Sequence, residues 1–329
     1  MTQIFSELMT ILPSVQKSSC VGAVADGQYI TQRFQNAFLL ELDTPKDDFS
    51  FIVWDPSHFM DQVAKKFMCE PYLKRLSERT SRFHTKLGHG KMHQIAENIG
   101  TNLGEKTLVT KSLSTTRLIS STVQSYLAVS KCFQQYTTVM YEYGGMQHNT
   151  NGIYSEDEYM VVAQDFAIDL LIVIDVLSIL VSLTVKSQDL QVPCWKVVPN
   201  THKVIDTLKN MLKDLQEVGD PQKSWNLNEA RWPNSAPHHN EIFKNKRYKN
   251  VPLVDGWMVD TSVTTRKNSP VNWNVREAED CHTDAVNFVK NLIAELKLRV
   301  RKAVPDGITH LFDALDLCNL MKLLTGEFN

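Results

Sequence analysis

An α/β plus α protein, helical over most of its length, is implied by two features of this chain. Two short apolar runs, Cys20 to Ala25 and Phe49 to Trp54, each lead into an aspartate, and helical periodicity then extends from Ser57 to about residue 217. The bulk composition fits a globular fold. Of 329 residues, 43% are hydrophobic and 22% charged, with 13 Gly and 12 Pro, which excludes a fibrous or wholly disordered chain.

The N-terminal elements follow from local pattern. Ile4, Phe5, Leu8, Met9 and Leu12 recur at helical spacing, and Pro13 ends that helix. Cys20 to Ala25 reads as a buried strand closed by Asp26-Gly27. A polar loop containing Asp43-Thr44-Pro45 leads to the second strand, closed by Asp55-Pro56-Ser57-His58. Apolar strands that both end on an acid suit a parallel sheet with a site at its carboxyl edge, so the two are expected to lie parallel and adjacent.

Residues 120–140 and 204–215 carry apolar side chains at three-and-four spacing, as amphipathic helices do. The run Phe166 to Val185 is as long as a bilayer span, but Asp169 and Asp175 lie inside it. Each central Asp opposes insertion by about 2.5–3.5 kcal/mol against about 0.3–0.6 gained per large aliphatic residue, which leaves insertion near break-even. A helix buried in protein, with both acids turned to polar partners or water, is the expectation.

Residues 218–275 are rich in Pro, Asn and Trp and lack periodicity, and they read as an irregular connection, functional or disordered. Within it stands a basic knot of Lys244, Lys246, Arg247 and Lys249. Amphipathic helix returns from Asp280 to Lys302, with Ala285, Val289, Leu292, Leu296 and Val300 on one face.

Formal net charge is −2, whereas a dedicated nucleic-acid module carries a basic excess, so affinity for DNA has to come from a local patch. The six cysteines form no C-x-x-C pair, which argues against a zinc ribbon or a disulfide scaffold and for a reduced, intracellular setting. The N-terminus has neither the basic nor the long apolar region of a signal peptide. There is no nucleophile elbow, Gly-rich phosphate loop or H-E-x-x-H motif. His84, His89 and His93 have Gly88 and Gly90 among them, which break the helix that would align them on a metal.

The segment GAVADGQYI at residues 22–30, followed by WDPSH at 54–58, resembles the hobo/Activator/Tam3 (hAT) transposases, and more narrowly the domesticated, zinc-finger-associated proteins derived from them. The resemblance implies a partial ribonuclease-H-like core with a large all-helical insertion. Asp26 matches the second of the family's three metal-binding acids. His58 matches the His of a Cys-x-x-His signature whose Cys position holds Asp55, and Arg117 keeps the Arg of an Arg-Trp signature that has lost its Trp. The segment Val192 to Val197 also resembles that insertion.

The likeness extends over residues 1–217 and fades beyond. It implies a partial core at 1–60 and a helical insertion at 61–217; the residue pattern beyond adds the irregular connection at 218–275 and a C-terminal helical segment at 276–329, expected to be truncated. The family's first acid precedes residue 1 of this chain and its final Glu follows the end, so an unpaired sheet edge and poor solubility are expected.

Two-metal phosphodiester cleavage needs converging carboxylates, and Asp26 alone does not hold the ion pair. It is expected as a vestigial, unoccupied ligand. His58 and Arg117 have structural readings beside the catalytic one: a histidine hydrogen-bonded at a helix–sheet junction, and an arginine paired with a carboxylate. The chain is therefore expected to be non-enzymatic and nuclear, with cytoplasm as the alternative. Its expected partners are DNA, held weakly through the basic knot, or protein, without membrane, small-molecule substrate or cofactor. One alternative is an active metal-dependent nuclease using Mg2+ or Mn2+, its missing acids supplied by residues such as Glu277, Glu279 or Asp280. The other is a helical protein-interaction module.

Overall fold

A computed structural model describes residues 10, 22–25, 31–41, 51–54, 63, 76, 123, 126, 127, 129–131, 133, 134, 136, 137, 162–188, 196–217, 225, 227–259 and 273–303. The chain divides into two compact units. The first comprises Met1–Val63, Ser182–Ile205 and Ala294–Asn329, and the second Ala64–Val181 and Asp206–Ile293.

In the first unit, β1 (Gly22–Ala25) and β2 (Phe51–Trp54) pair in parallel, with Gly22 opposite Phe51 and Ala25 opposite Trp54. This is the pairing that two apolar runs ending on acids imply. The connection, expected as a loop, holds α1 (Gln32–Glu41), as a parallel crossover commonly does. Thr31 starts that helix: its hydroxyl accepts from the Phe34 amide at 3.4 Å. Among the described side chains of α1, Phe38 is buried and Leu40 is exposed.

The second unit is built round α2 (Gln164–Gln188) as far as Val181. A helix apolar on every face has to be enclosed, and Phe166, Ile168, Leu170, Ile172, Val173 and Ile174 are all fully buried. The helix is long and apolar enough to cross a membrane by length and composition, and 78% of its most apolar window is buried within the protein. Described residues between 123 and 137 are helical, and Val123, Tyr126, Val129, Phe133 and Tyr136 are buried at helical spacing. Phe133 and Tyr136 lie beside Phe166, with ring centroids 6.3 and 6.4 Å away.

Helix α3 (Val197–Gln216) is amphipathic and buries Leu208, Met211 and Leu215 in this unit. Its C-terminal end is closed by side chains. The His282 imidazole Nε2 donates to the Leu215 carbonyl at 2.7 Å, satisfying an oxygen that the helix itself leaves open. Asp214 accepts two bonds from Arg231, at 2.6 and 2.5 Å, and one from the Trp232 indole at 3.1 Å.

The described residues of the stretch without periodicity, 225, 227–259 and 273–275, are closely packed. Trp232 and Tyr248 are fully buried, and turns at 229–238 lead into α4 (His239–Lys244). Two antiparallel pairs follow, β3 (Arg247–Tyr248) with β4 (Val251–Pro252), and β5 (Gly256–Val259) with β6 (Trp273–Arg276). Large aromatics on turns and very short strands supply the burial that periodicity supplies elsewhere, so the described part of 218–275 is a folded element. Helix α5 (Ala278–Ala303) closes the order, and Ala285, Val289 and Leu292 on its expected apolar face are fully buried.

The three acids of α2, Asp165, Asp169 and Asp175, are all buried and all partnered. Asp165 and Asp169 are one turn apart on one face, and both contact the guanidinium of Arg276. Asp175, about 240° further round the axis, accepts from the Asn234 amide and side chain at 3.0 and 2.6 Å and from the Ser235 amide and hydroxyl at 2.9 and 2.6 Å. Burial raises the Asp175 pKa, and the bonds from Ser235 and Asn234 oppose that shift. Turning the acids to polar partners lets a nearly continuous apolar helix sit in the core.

Candidate nucleic-acid interface

Helix α4 ends at Asn245, which keeps a right-handed backbone at φ −96°, and Lys246 then turns left-handed at φ 47°. That position after a helix usually falls to glycine. The Lys246 carbonyl accepts from the Leu253 amide at 2.8 Å, which brings the chain back alongside β3. Tyr248 faces Val251 and Arg247 faces Pro252, leaving Lys249-Asn250 as a two-residue loop at φ 47° and 66°. Positive φ at both loop positions is the type I′ turn, which matches the twist of a tight hairpin.

Alternation along β3 sends Tyr248 inward and its neighbours outward. The Tyr248 hydroxyl lies 2.7 Å from the Ser130 hydroxyl. Its ring meets Phe133 edge-on at 4.9 Å and His238 at 5.1 Å. Burial first, and Glu241 after it, raise the Tyr248 pKa to about 12, with the Ser130 bond opposing, so the phenol stays neutral.

Lys244, Lys246, Arg247 and Lys249 are all exposed around this anchored tyrosine. Lys246 pairs with Asp255 at 2.7 Å. Among the described residues, Lys244, Arg247 and Lys249 have no ion-pair partner; Arg247 reaches the Asn250 carbonyl at 3.5 Å, and the Lys249 ammonium lies 6.0 Å from the Tyr248 ring centroid. The structure therefore brings the four expected cations together on one helix end and one hairpin.

A left-handed backbone disfavours a residue with a Cβ by roughly 1–2 kcal/mol. Lysine occupies two such positions here, where glycine or asparagine would fit without strain. Strain of this kind collects where a side chain serves something other than stability. Sequence reasoning found the charges but not the strain, because Lys-Asn lacks the Asn-Gly signature of a two-residue hairpin.

Among the described residues, a cluster of three acids lies elsewhere in the second unit, around the fully buried side chain of Arg276. Its Nη1 donates to Asp165 at 3.2 Å and to Asp169 at 2.8 Å, and its Nη2 to Asp169 at 3.2 Å and Asp284 at 2.7 Å. Burial opposes the charge on Arg276, but the carboxylates, Asp169 foremost, outweigh it and hold the group protonated. Gly256, opposite Arg276 in the β5–β6 pair, gives Asp165 its room: a Cβ there would lie 2.4 Å from the Asp165 Cγ. The cluster ties α2 to β6 and α5.

Among the described residues, no three His, Cys, Asp or Glu side chains are placed to hold a metal ion. Of the acids considered as substitutes, Asp280 accepts from the Glu277 amide at 2.9 Å and so caps the start of α5. Glu277 and Glu279 are exposed. Asp26, His58, Arg117 and the trio His84, His89 and His93 lie outside the described residues.

No protein-family model, no curated protein and no solved structure matches the chain.

Proposed function

We propose that this chain is a catalytically incomplete relative of the hAT transposases that acts in the nucleus by contacting DNA weakly through the β3–β4 hairpin. The observation that carries the DNA-binding part is the placement of Lys246 and Lys249 at left-handed positions beside Arg247 and Lys244, on a hairpin held by a buried tyrosine. A two-residue turn fixes the directions in which its cations leave the backbone, so less freedom is lost when they meet phosphates.

The transposase part rests on the Asp26, His58 and Arg117 matches. The parallel β1–β2 pair, whose first strand leads straight to Asp26, is compatible with a ribonuclease-H-like core. With Asp26 as its one matched acid of three, the chain is read as unable to hold the two ions that cleavage needs. Mg2+ and Mn2+ therefore enter only with the alternative of an active nuclease.

Contact through the three cations that have no ion-pair partner among the described residues gives modest, sequence-independent affinity. Each phosphate neutralised contributes about 0.9 to the slope of log K against log salt, so three give a slope of about −2.7. Fluorescence anisotropy of a labelled duplex titrated with the full chain at several salt concentrations measures this. Replacing Lys244, Arg247 and Lys249 with glutamine should flatten the slope to near zero. An unchanged slope in that variant would place the DNA contact elsewhere, and no binding by the parent at low salt would dismiss it.

A further inference from the structure

We propose that Asp255 is a specificity-determining residue of this interface, holding Lys246 away from phosphate and so keeping the hairpin's affinity for polyanions low. The inference rests on the DNA-contact reading above. Its geometry is independent of that reading. The Asp255 carboxylate lies 2.7 Å from the Lys246 ammonium, and both side chains are about half exposed, at 45% and 55%. An exposed pair of this kind is weak and open to competition by a phosphate oxygen.

What raises the pair above an ordinary surface contact is how both backbones are held. One position before Asp255, the Val254 amide donates to the Val162 carbonyl and the Val254 carbonyl accepts from the Gln164 amide, both at 2.9 Å. One position after it, Gly256 lies so close to Asp165 that no Cβ fits. Lys246 is fixed in turn by its left-handed backbone and by the Leu253 bond to its carbonyl. Ordering two side chains whose stems are already set loses less entropy than ordering two free ones.

A phosphate approaching Lys246 has to displace Asp255 and then lie beside its negative charge. The paired state therefore offers three cations, and the fourth joins only when the carboxylate is neutralised or displaced. Substrates of high phosphate density, such as duplex DNA, gain most from that fourth contact, because several phosphates lie within reach at once.

A double-mutant cycle on the full chain tests this, using a labelled duplex as probe and anisotropy at several salt concentrations, with thermal unfolding confirming that each variant folds. Asp255→Asn should tighten binding by roughly two- to fivefold, the equivalent of an exposed ion pair, and steepen the salt slope by about 0.9. Lys246→Gln should lose more affinity in the Asp255→Asn background than in the parent. Equal losses in both backgrounds overturn the inference, because Asp255 then acts only through its general field. Salt-dependent parent binding that Asp255→Asn leaves unaltered also overturns it, while the interface reading survives. Absence of salt-dependent binding in parent and Asp255→Asn alike removes the interface and this inference together.

Discussion

Replacing Arg276 with methionine removes the cation from between three carboxylates while keeping much of the side-chain volume. Asp165 and Asp169 are 0% and 1% exposed, so neither can turn to water for compensation. Asp284, with 39% of its side chain exposed, can. Breaking a buried ion pair by removing one partner lowers stability by about 3–5 kcal/mol, because a charge is left in a poor dielectric. Against a total of about 5–15 kcal/mol, that is a large fraction of what holds the fold. Urea unfolding followed by circular dichroism and tryptophan fluorescence should show the midpoint falling with little change in the denaturant slope. Arg276→Lys should fall between parent and methionine, since an ammonium keeps the charge but not the fork that spans Asp169 and Asp284. Adding Asp165→Asn and Asp169→Asn to Arg276→Met should recover part of the loss. A decrease below about 1 kcal/mol for Arg276→Met, the scale of an exposed pair, would refute the argument that this guanidinium organises the second unit.

Three further outcomes follow from the same geometry. Gly256→Ala should lower stability by about 1–3 kcal/mol, the usual effect of forcing a methyl into a filled site, because its Cβ would meet Asp165; differential scanning calorimetry reads this. Burial, and Lys244 after it, depress the His239 pKa from 6.5 to about 4. Its neutral form is therefore the one the fold favours, and its contribution is present above about pH 6.5 and lost as pH falls through about 4, in total about 3 kcal/mol. Unfolding curves across that window should have a shallower pH slope for His239→Gln than for the parent. Incubation of the purified chain with duplex DNA and Mg2+ or Mn2+ should yield no cleavage above background, and Asp26→Ala should behave identically; nicking that Asp26→Ala abolishes would establish an active site instead.

The long apolar helix, the polar escape of Asp169 and Asp175, the parallel pairing of β1 with β2 and the apolar face of α5 could all be read from the sequence. Each depends on periodicity or on a charge inside an apolar run, which are local signals. The Arg276 cluster could not, because its partners Asp165 and Asp169 lie 111 and 107 positions away and no local pattern links them. The fold of residues 227–259 was equally hidden, since it rests on Trp232, buried within a run of turns, and Tyr248, buried from a two-residue strand, rather than on a repeating stripe. The four cations of the candidate interface were visible as charge. The left-handed backbone of Lys246 and Lys249 and the Asp255 tether were not, because Lys just past a helix or at a hairpin tip runs against turn preferences and the tether spans 9 positions.

Lys249→Gly brings the claims about the hairpin to a single comparison. Glycine relieves the left-handed strain, roughly 1–2 kcal/mol, and gives back about 0.5–1 kcal/mol through a freer unfolded chain, so the variant should be slightly more stable than the parent. It also removes one cation of the hairpin, which should weaken duplex binding roughly fivefold near physiological salt and reduce the salt slope by about 0.9. Measured together on the full chain, a higher unfolding midpoint with weaker, less salt-dependent DNA binding is the result expected if this lysine sits in a strained position to meet phosphate. A less stable protein, or one that binds DNA as the parent does, would contradict it.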